Sequence, residues 1–280
     1  MKRVAIAGLV LAGACLGAAA QVESDGTIVV ADWTQDEIVI AADSRESTAD
    51  SYSDRKCKIA AFGDKLIFAA AGRRGTRNKI TRASLWDSFA IARQQFAKLA
   101  DKGATDRLAK RLADAWGQSV KEQVERYGAL SLSGLDDHTV TRGIFADFEK
   151  DGSLLIVVET VAYEIVGGQT TITASPQIVP PLPATVYYLG RGEILNELRA
   201  SQTPRSIKWN HDIDRLMVTS RDQAADEAIA YVDLTIVNFP KTKTDSRGVP
   251  FSIMGQPIAV VQLRRGKGVE WIKQGNCESK

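Results

Sequence analysis

The chain has 280 residues, of which 44% are hydrophobic and 25% charged, so a full core is possible and the composition is not that of a disordered protein. Of its 36 Lys and Arg residues, Lys2 and Arg3 lie in an N-terminal leader, which leaves 34 against 34 Asp and Glu. This balance gives no support for nucleic acid or an anionic membrane as a partner, because both require an excess of basic residues.

The N-terminus has the organisation of a secretory signal peptide. Lys2 and Arg3 are followed by an apolar run over 4–16 and by three alanines at 18–20, which supply a small-residue cleavage site. We therefore predict a signal peptide over 1–20 and a secreted protein, periplasmic or extracellular, with no membrane attachment after cleavage. A retained membrane anchor is disfavoured by the length of the run, and lipidation at Cys15 is a minor alternative.

The first half of the chain predicts strands followed by helices. After a polar lead over 21–26, alternation of apolar and polar residues predicts strands at 27–33, 37–43, 56–61 and 65–71. The period then changes, and apolar residues at helical spacing predict a helix over 77–100. A second helix, with Thr105 or Asp106 as its N-cap, is predicted to continue to about 128.

The second half returns to strands. We predict strands at 140–147 and 153–165, a polar excursion or edge ribbon over 167–182, and a strand at 185–189 that leads into a short helix ending near 200. A helix over 222–238 precedes strands at 251–263 and 269–272. No internal repeat or linker interrupts this series, so 27–280 is predicted to form one domain. Strand pairs alternating with helices favour a layered α+β fold with two stacked sheets and helices outside.

Cysteine and histidine are too sparse to indicate a metal centre. Cys57 and Cys277 remain after signal cleavage, and they either pair in an oxidising compartment or stay as two separate thiols. His138 and His211 lie far apart, without Cys or acidic residues at ligand spacing. We expect no metal and no cofactor, and a histidine-dependent catalytic triad has no visible second member.

Thr27 is the first residue that suggests chemistry. A Thr at the start of a strand is usually there because it favours β-structure. Here, however, Gly26 precedes it and leaves the peptide bond unhindered, and only six residues separate it from the predicted signal cleavage. A second cut would remove 21–26 as a short propeptide and make Thr27 the N-terminus. A free α-amine, with a pKa of about 7.7–8.0, can serve as general base for the adjacent hydroxyl.

Three further residues on the predicted strands complete a possible catalytic set. Asp43 ends an apolar run and alone would be a turn residue, Lys58 alone would be an exposed edge lysine, and Gly72 alone would be a strand-end glycine. Together, a lysine beside Thr27 lowers the cost of forming the alkoxide, and a carboxylate holds that lysine in place. Gly72 can present an unobstructed backbone N–H to an oxyanion.

Residues 27–75 resemble the start of a proteasome β-type subunit, a member of the N-terminal nucleophile (Ntn) hydrolase superfamily. The matching segments are Gly26-Thr27-Ile28-Val29, Val39 to Arg45, Lys58-Ile59 and Ala70-Ala71-Gly72. The resemblance implies an α+β fold, a four-layer αββα sandwich of two antiparallel sheets flanked by helices. It also implies autoprocessing at Gly26–Thr27 and hydrolysis of peptide or amide substrates through an acyl-enzyme on Thr27.

The same resemblance assigns roles to individual residues. Thr27 is the nucleophile, Asp43 orients Lys58, and the Gly72 N–H binds the oxyanion. One residue is deleted between Arg45 and Lys58 relative to the family, so Lys56 is the runner-up for the lysine. The positions that match the specificity pocket are polar or small, although a solvated charged rim is an equal interpretation: Glu46, Lys56, Ala70 and Arg74.

The second half departs from the family pattern. Arg191 stands between Gly190 and Gly192 where the family has Ser, and no Asp-x-x-Ser pair stands at the right distance before Gly255. A catalytically silent binding or assembly module is therefore the alternative function, and a small-molecule amidase is a third. A homo-oligomer is possible, but ring assembly is not to be assumed for a secreted protein.

Overall fold

The protein is described here from a computed structural model. The structure describes residues 20–23, 27–48, 51–78, 81, 83–103, 105–127, 132, 135, 138–180, 186–191, 195, 200, 201, 204, 207, 208, 211, 223–239, 241, 243–275 and 277. The predicted signal peptide, apart from Ala20, and the predicted processing residue Gly26 lie outside these residues. Within them, no helix is both long and apolar enough to cross a membrane.

Seventeen strands and three helices make up the regular structure of the described residues. The strands are β1 (Ala20–Glu23), β2 (Ile28–Trp33), β3 (Glu37–Asp43), β4 (Glu46–Ser47), β5 (Tyr52–Ser53), β6 (Ile59–Phe62), β7 (Leu66–Gly72), β8 (Gly75–Asn78), β9 (Ser84–Asp87), β10 (Thr139–Phe148), β11 (Leu154–Val166), β12 (Gln169–Val179), β13 (Tyr187–Gly190), β14 (Lys243–Thr244), β15 (Pro250–Phe251), β16 (Ile258–Arg264) and β17 (Gly268–Lys273). The helices are α1 (Ser88–Asp101), α2 (Leu108–Tyr127) and α3 (Gln223–Asn238).

Two antiparallel five-stranded sheets carry the core. Their strand orders are β12-β11-β10-β7-β6 and β13-β2-β3-β16-β17. Apolar side chains from both sheets meet in one cluster, with Ile67 and Ala69 of β7 joining Ile38 and Ile40 of β3. Because side chains alternate across a strand, β7 also sends Phe68 to its other face, where it stacks with Phe145 of β10. The two sheets therefore hold β3 and β7, which end in Asp43 and Gly72, in one packed unit.

The three helices pack unequally on these sheets. Helices α1 and α2 bury Phe89 and Trp116 against the first sheet around Phe68. Asp87 caps α1 by accepting hydrogen bonds from the backbone amides of Phe89 and Ala90. On the second sheet, α3 buries Ala228, Tyr231 and other small or apolar residues. Helix α3 thus covers part of this sheet, and Leu195 packs into the same cluster.

The predicted fold class, an α+β four-layer αββα sandwich of two antiparallel sheets flanked by helices, is wrong. The described part of the chain is mainly β, with 44% strand and 28% helix. The described strands form five sheets rather than two, because three-stranded β1-β8-β9 and two-stranded β4-β5 and β14-β15 pairs stand beside the main sheets. Three described helices do not make two flanking layers. Local backbone pairing outside the main sheets, which the periodicity of the sequence does not report, accounts for the difference.

The predicted helix over 77–100 begins too early. Its first part instead forms β8 and β9, which pair with each other, and α1 begins at Ser88 after the Asp87 cap. The second predicted helix begins at Leu108, and its Ala109 amide is bound by Asp147 of β10 rather than by Thr105 or Asp106. The predicted strand over 251–263 is divided into β15 and β16. The start of α1 is set locally, by the pairing of β8 with β9 and by the Asp87 cap, whereas the start of α2 is bound by a residue from a distant strand.

Cys57 and Cys277 form a disulfide across 220 residues of sequence. Cys57 directly precedes Lys58, and Cys277 is buried near the C-terminus in the cluster between the two main sheets. Of the two alternatives that the sequence leaves open, the structure has the paired one. The disulfide therefore anchors the C-terminal segment beside the strand that carries Lys58.

Candidate active site

A buried ion pair lies at the centre of the candidate site. The Lys58 ammonium contacts both carboxylate oxygens of Asp43, with Nζ–Oδ1 and Nζ–Oδ2 distances of 3.0 and 3.1 Å. The Asp43 side chain is fully buried, and that of Lys58 is 3% exposed. Asp43 ends β3, the central strand of one main sheet, and Lys58 directly precedes β6, an edge strand of the other, so the pair links the two main sheets. A pair held in this way keeps the lysine in one position.

Backbone amides complete the surroundings of the Asp43 carboxylate. The amide of Ile28 donates to Oδ1 at 3.1 Å, and the amides of Arg45 and Gly255 donate to Oδ2 at 3.2 and 3.3 Å. A buried carboxylate needs such donors because the loss of water is otherwise costly. Since Ile28 follows Thr27 directly, the same carboxylate that holds Lys58 also fixes the start of β2.

Burial and charge act in opposite directions on this pair. Burial raises the pKa of Asp43, while Lys58 and the amides of Ile28 and Gly255 lower it. Burial lowers the pKa of Lys58, while Asp43 raises it. A buried lysine with a lowered pKa exchanges its proton more readily than an exposed lysine does. Such a group is suited to work beside a hydroxyl nucleophile.

Thr27 is held by backbone contacts at its carbonyl. It is 3% exposed, and its carbonyl oxygen accepts a hydrogen bond from the Arg191 amide at 3.0 Å. Gly190 has a φ of +84°, and a Cβ at this position would overlap the Thr27 carbonyl oxygen. Only glycine allows this approach without a shift of the backbone. The Gly190–Arg191 segment therefore supports Thr27 through its main chain, whatever side chain residue 191 carries.

The structure brings nearly all predicted site residues around one small cavity. Thr27, Lys58 and Gly72 line it, and its volume of about 10 Å³ is enough for about one water molecule. All four predicted pocket residues line it too: Glu46, Lys56, Ala70 and Arg74. Asp43 lies beneath, in contact with Lys58. Gly26 is the one predicted site residue whose place cannot be compared, since it lies outside the described residues.

The structure also separates the two candidate lysines. Lys56 is half-buried, and its Nζ lies 3.5 Å from Glu46 Oε2. Lys58 contacts Asp43 instead. The runner-up assignment of Lys56 to the position beside Asp43 is therefore wrong, because the segment before β6 places Lys58 against that carboxylate and Lys56 against Glu46.

The rim of the cavity is charged, and its charges are paired. Arg74 binds Asp87 with an Nε–Oδ2 distance of 3.0 Å and lies 4.0 Å from Glu46 Oε1. It also donates to the Cys57 carbonyl at 2.9 Å and stacks over the ring of Phe89. These contacts link the disulfide, the α1 cap and the cavity wall. The wall thus carries both signs of charge.

A short N-terminal strand runs beside this wall. The backbone of β1 pairs antiparallel with β8, from Ala20 opposite Asn78 to Glu23 opposite Gly75. Strand β8 begins three residues after Gly72, so the leader lies along the chain that leaves the candidate oxyanion position. An extended peptide adding to a strand edge is a common mode of peptide recognition.

Several residues of the site escaped sequence reasoning. Ser88, Phe89 and Thr141 line the cavity, and the backbone amides of Arg191 and Gly255 bind Thr27 and Asp43. Gly190 and Gly255 were a usable signal in the sequence for a close approach of the backbone. Ser88, Phe89 and Thr141 carried no local signal, because helix α1 and strand β10 bring them to the site from elsewhere in the chain.

Two comparisons with known proteins identify no relative of this chain. Neither a scan against protein-family models nor a search of curated proteins finds a match for the chain. The resemblance to proteasome β-type subunits therefore remains a hypothesis based on the motifs.

Proposed function

We propose that this protein is a secreted, self-processing N-terminal threonine hydrolase that cleaves peptide or amide bonds. One observation carries the proposal. Thr27, Lys58 and Gly72 line a single cavity directly above the buried Lys58–Asp43 pair. A hydroxyl, a buried cation and a potential N–H donor in one place are the groups that acyl transfer requires.

The first step is release of the Thr27 amine. In the precursor, the Thr27 nitrogen belongs to the peptide bond with Gly26 and has no basic lone pair. The Thr27 hydroxyl attacks the Gly26 carbonyl, and the C–N bond breaks as the hydroxyl proton passes to the departing nitrogen, so the acyl group moves from nitrogen to oxygen. Water then hydrolyses this ester, which leaves the leader with a carboxylate and Thr27 with a free α-amine.

Turnover repeats this chemistry on a substrate. The α-amine accepts the hydroxyl proton as Oγ attacks the substrate carbonyl, and Lys58 stabilises the developing alkoxide. The Gly72 N–H binds the oxyanion of the tetrahedral intermediate. The intermediate collapses and expels the amine product, which takes the proton from the Thr27 ammonium. Water hydrolyses the resulting ester and restores the enzyme.

Peptides are the favoured substrates within this proposal. The pairing of β1 with the edge of β8 supports an extended peptide as the substrate. The Glu46, Lys56 and Arg74 charges in the wall favour a polar side chain near the scissile bond. Comparing peptide substrates with simple acyl amides distinguishes a peptidase from an amidase.

The test compares wild-type protein with Thr27→Ala and Thr27→Ser. Intact mass and N-terminal sequencing of the secreted wild type should show a chain that begins at Thr27. Thr27→Ala should retain 21–26 and lose turnover of a fluorogenic peptide library by at least about 10³-fold, whereas Thr27→Ser keeps a hydroxyl and should process. A wild-type chain that still begins at Gln21 would contradict the proposal.

A second function, a catalytically silent binding or assembly module, is favoured by one observation. Thr27 is almost fully buried, and the cavity that it lines has a volume of only about 10 Å³. A threonine-directed electrophile separates the two functions in the mature protein. Covalent labelling at Thr27 supports the hydrolase, and an unlabelled, folded mature chain supports the module.

A further inference from the structure

The side chain of Arg45, between β3 and β4, joins two segments that are distant in sequence. It is 16% exposed, and its guanidinium binds both oxygens of the Asp54 carboxylate, with Nε–Oδ1 and Nη2–Oδ2 distances of 2.5 and 2.8 Å. The third nitrogen, Nη1, donates to the Ser252 carbonyl at 3.0 Å. Because all three nitrogens donate, the guanidinium ties the segment after β5 to the segment after β15.

The same guanidinium contacts an aromatic ring and a glycine. Its Cζ lies 4.1 Å from the centre of the Tyr52 ring, and this ring packs on Phe251 with a centroid distance of 4.8 Å. A Cβ at Gly255 would lie 2.5 Å from Arg45 Cζ, so the guanidinium packs directly against the Gly255 backbone. A ring face and a bidentate carboxylate both stabilise a planar cation. Together these contacts fix the position of the guanidinium.

The segment that Arg45 holds ends at a residue that binds Asp43. The Gly255 amide donates to Asp43 Oδ2 at 3.3 Å, and the Gly255 carbonyl accepts from the Ser44 amide at 3.1 Å. Three residues earlier, the Ser252 carbonyl is bound by the Arg45 side chain. The segment over 252–255 is therefore held at both ends by residues that directly follow Asp43.

We infer that Arg45 is a positioning residue of the candidate active site, because its side chain holds residues 252–255 where the Gly255 N–H reaches Asp43. The inference rests on the proposed hydrolase, in which Asp43 orients Lys58. Of the three backbone donors to the Asp43 carboxylate, the Gly255 amide is the most distant, so a shift of its segment breaks this bond first. The buried carboxylate then has one donor fewer, and Lys58 is less firmly oriented.

The geometry of the arginine matters here more than its charge. A lysine at position 45 would keep the positive charge, but its ammonium is a compact point charge. It cannot bind both Asp54 oxygens in a planar fork and the Ser252 carbonyl as well. Arg45→Lys should therefore behave like the uncharged variant Arg45→Gln, and both variants retain the backbone amide of residue 45, which donates to Asp43.

The experiment measures hydrogen exchange of single amides by NMR in the folded full-length protein. In Arg45→Gln, the Gly255 amide should exchange at least about tenfold faster than in the wild type, because its bond to Asp43 is weakened. The Ile28 amide, which binds the other oxygen of the same carboxylate, should exchange as in the wild type. These measurements do not require activity, so they test the role of Arg45 even if the protein is not a hydrolase.

Peptide turnover supplies the second readout. Arg45→Gln and Arg45→Lys should lower kcat at least about tenfold with little change in KM, because they disturb the orientation of Lys58 rather than substrate binding. Arg247→Gln is the matched control. Arg247 also binds a carboxylate, that of Asp245, but its side chain is 78% exposed, so this variant should keep wild-type exchange and turnover.

Three results would overturn the inference: wild-type exchange of Gly255 in folded Arg45→Gln, equal acceleration of the Gly255 and Ile28 amides, or wild-type behaviour of Arg45→Lys. If Arg45→Gln does not fold, Asp54→Asn replaces it, since Asp54 is 35% exposed and its amide cannot form the ionic pair. The same selective acceleration of Gly255 is then expected, and its absence would overturn the inference.

Discussion

Single atoms of the backbone decide how Thr27 is held. The Arg191 amide binds the Thr27 carbonyl, and Gly190 leaves room for that carbonyl because it has no Cβ. In addition, the Ile28 amide ties the next residue to Asp43. The departure at Arg191 from the family pattern therefore does not remove the main-chain support from Thr27, the proposed nucleophile. The support comes from the main-chain N–H, which any residue other than proline provides at 191.

Gly190→Ala is expected to block both processing and turnover. The added methyl would overlap the Thr27 carbonyl oxygen and displace the nucleophile. Gly168→Ala is the matched control, since Gly168 has a similar φ of +81° but nothing within 4 Å of a Cβ. Both variants bear a backbone cost of about 1 kcal/mol, so only displacement of Thr27 separates them. Intact mass and peptide turnover measure the difference, and equal activity of the two variants would contradict the assignment.

Lys58→Met and Lys56→Met should behave differently. Lys58→Met leaves the buried Asp43 carboxylate without its cation, so we expect loss of processing, at least about 10³-fold lower kcat, and destabilisation by about 3–5 kcal/mol. Lys56→Met removes a half-buried partner of Glu46 and should change mainly KM. Steady-state kinetics and denaturant unfolding provide the measurements. If Lys56→Met were the inactive variant, the roles of the two lysines would be reversed.

At the scale of elements, strand β11 and helix α2 meet at a buried acid. Glu159 of β11 is 1% exposed and packs so closely on Gly117 of α2 that a Cβ there would overlap its carboxyl. Glu159 Oε2 has no hydrogen-bond partner among the described residues. Burial is the main cause that raises the pKa of Glu159 to about 8, and the charge of Asp114 adds to it. The charge of Lys110 lowers this pKa but does not offset the two effects. The carboxyl is therefore protonated at neutral pH.

This acid makes the docking of α2 sensitive to pH. Because the folded pKa lies above the ordinary value of 4.5, the folded state binds more protons, and stability falls as pH rises from about 4.5 to about 8. A glutamine cannot ionise, so Glu159→Gln should abolish this loss of stability, which is on the order of 3–5 kcal/mol. Denaturant unfolding of both proteins at pH 5 and pH 9 measures it. Glu159→Gln should be more stable than the wild type at pH 9 but not at pH 5. An equal difference in unfolding free energy at the two pH values would show that Glu159 does not titrate between them.

Element boundaries show where periodicity stops being informative. The main strands were predictable because alternation over β2, β3 and β7 reflects burial of one or both faces in the sheets. The error at β8 and β9 arose because these short strands pair with each other and with β1, and backbone pairing leaves little pattern in the side chains. The N-cap error at α2 has a similar cause, since Asp147 comes from a distant strand.

At the scale of the whole molecule, the Cys57–Cys277 disulfide cross-links the candidate site to the C-terminal segment. It joins the residue before Lys58 to the C-terminal segment after β17. Cross-linking residues 220 positions apart restricts the unfolded chain, and removal of such a disulfide costs about 2–5 kcal/mol. The bond therefore supports both global stability and the position of the lysine.

We expect reduction, or a Cys57→Ser plus Cys277→Ser double variant, to lower the unfolding free energy by this amount and to lower kcat. Guanidinium unfolding with and without a thiol reductant provides the measurement, and the double variant should not respond to reductant. Unchanged unfolding of the wild type in reductant, with two free thiols by mass, would contradict a stabilising role.

The sequence by itself determined which residues carry the candidate chemistry. Each of Thr27, Asp43, Lys58 and Gly72 alone has an ordinary structural explanation. They were recognisable as a set because Thr27 follows Gly26 close to the predicted signal cleavage, and because the four residues lie in segments that resemble one family. Only the tertiary structure decided that Lys58 and not Lys56 contacts Asp43, that the amides of Arg191 and Gly255 complete the site, and that the fold is mainly β. The reason is physical. Local periodicity records which faces are buried, whereas these contacts join backbone and side-chain atoms from distant parts of the chain, and only packing brings them together.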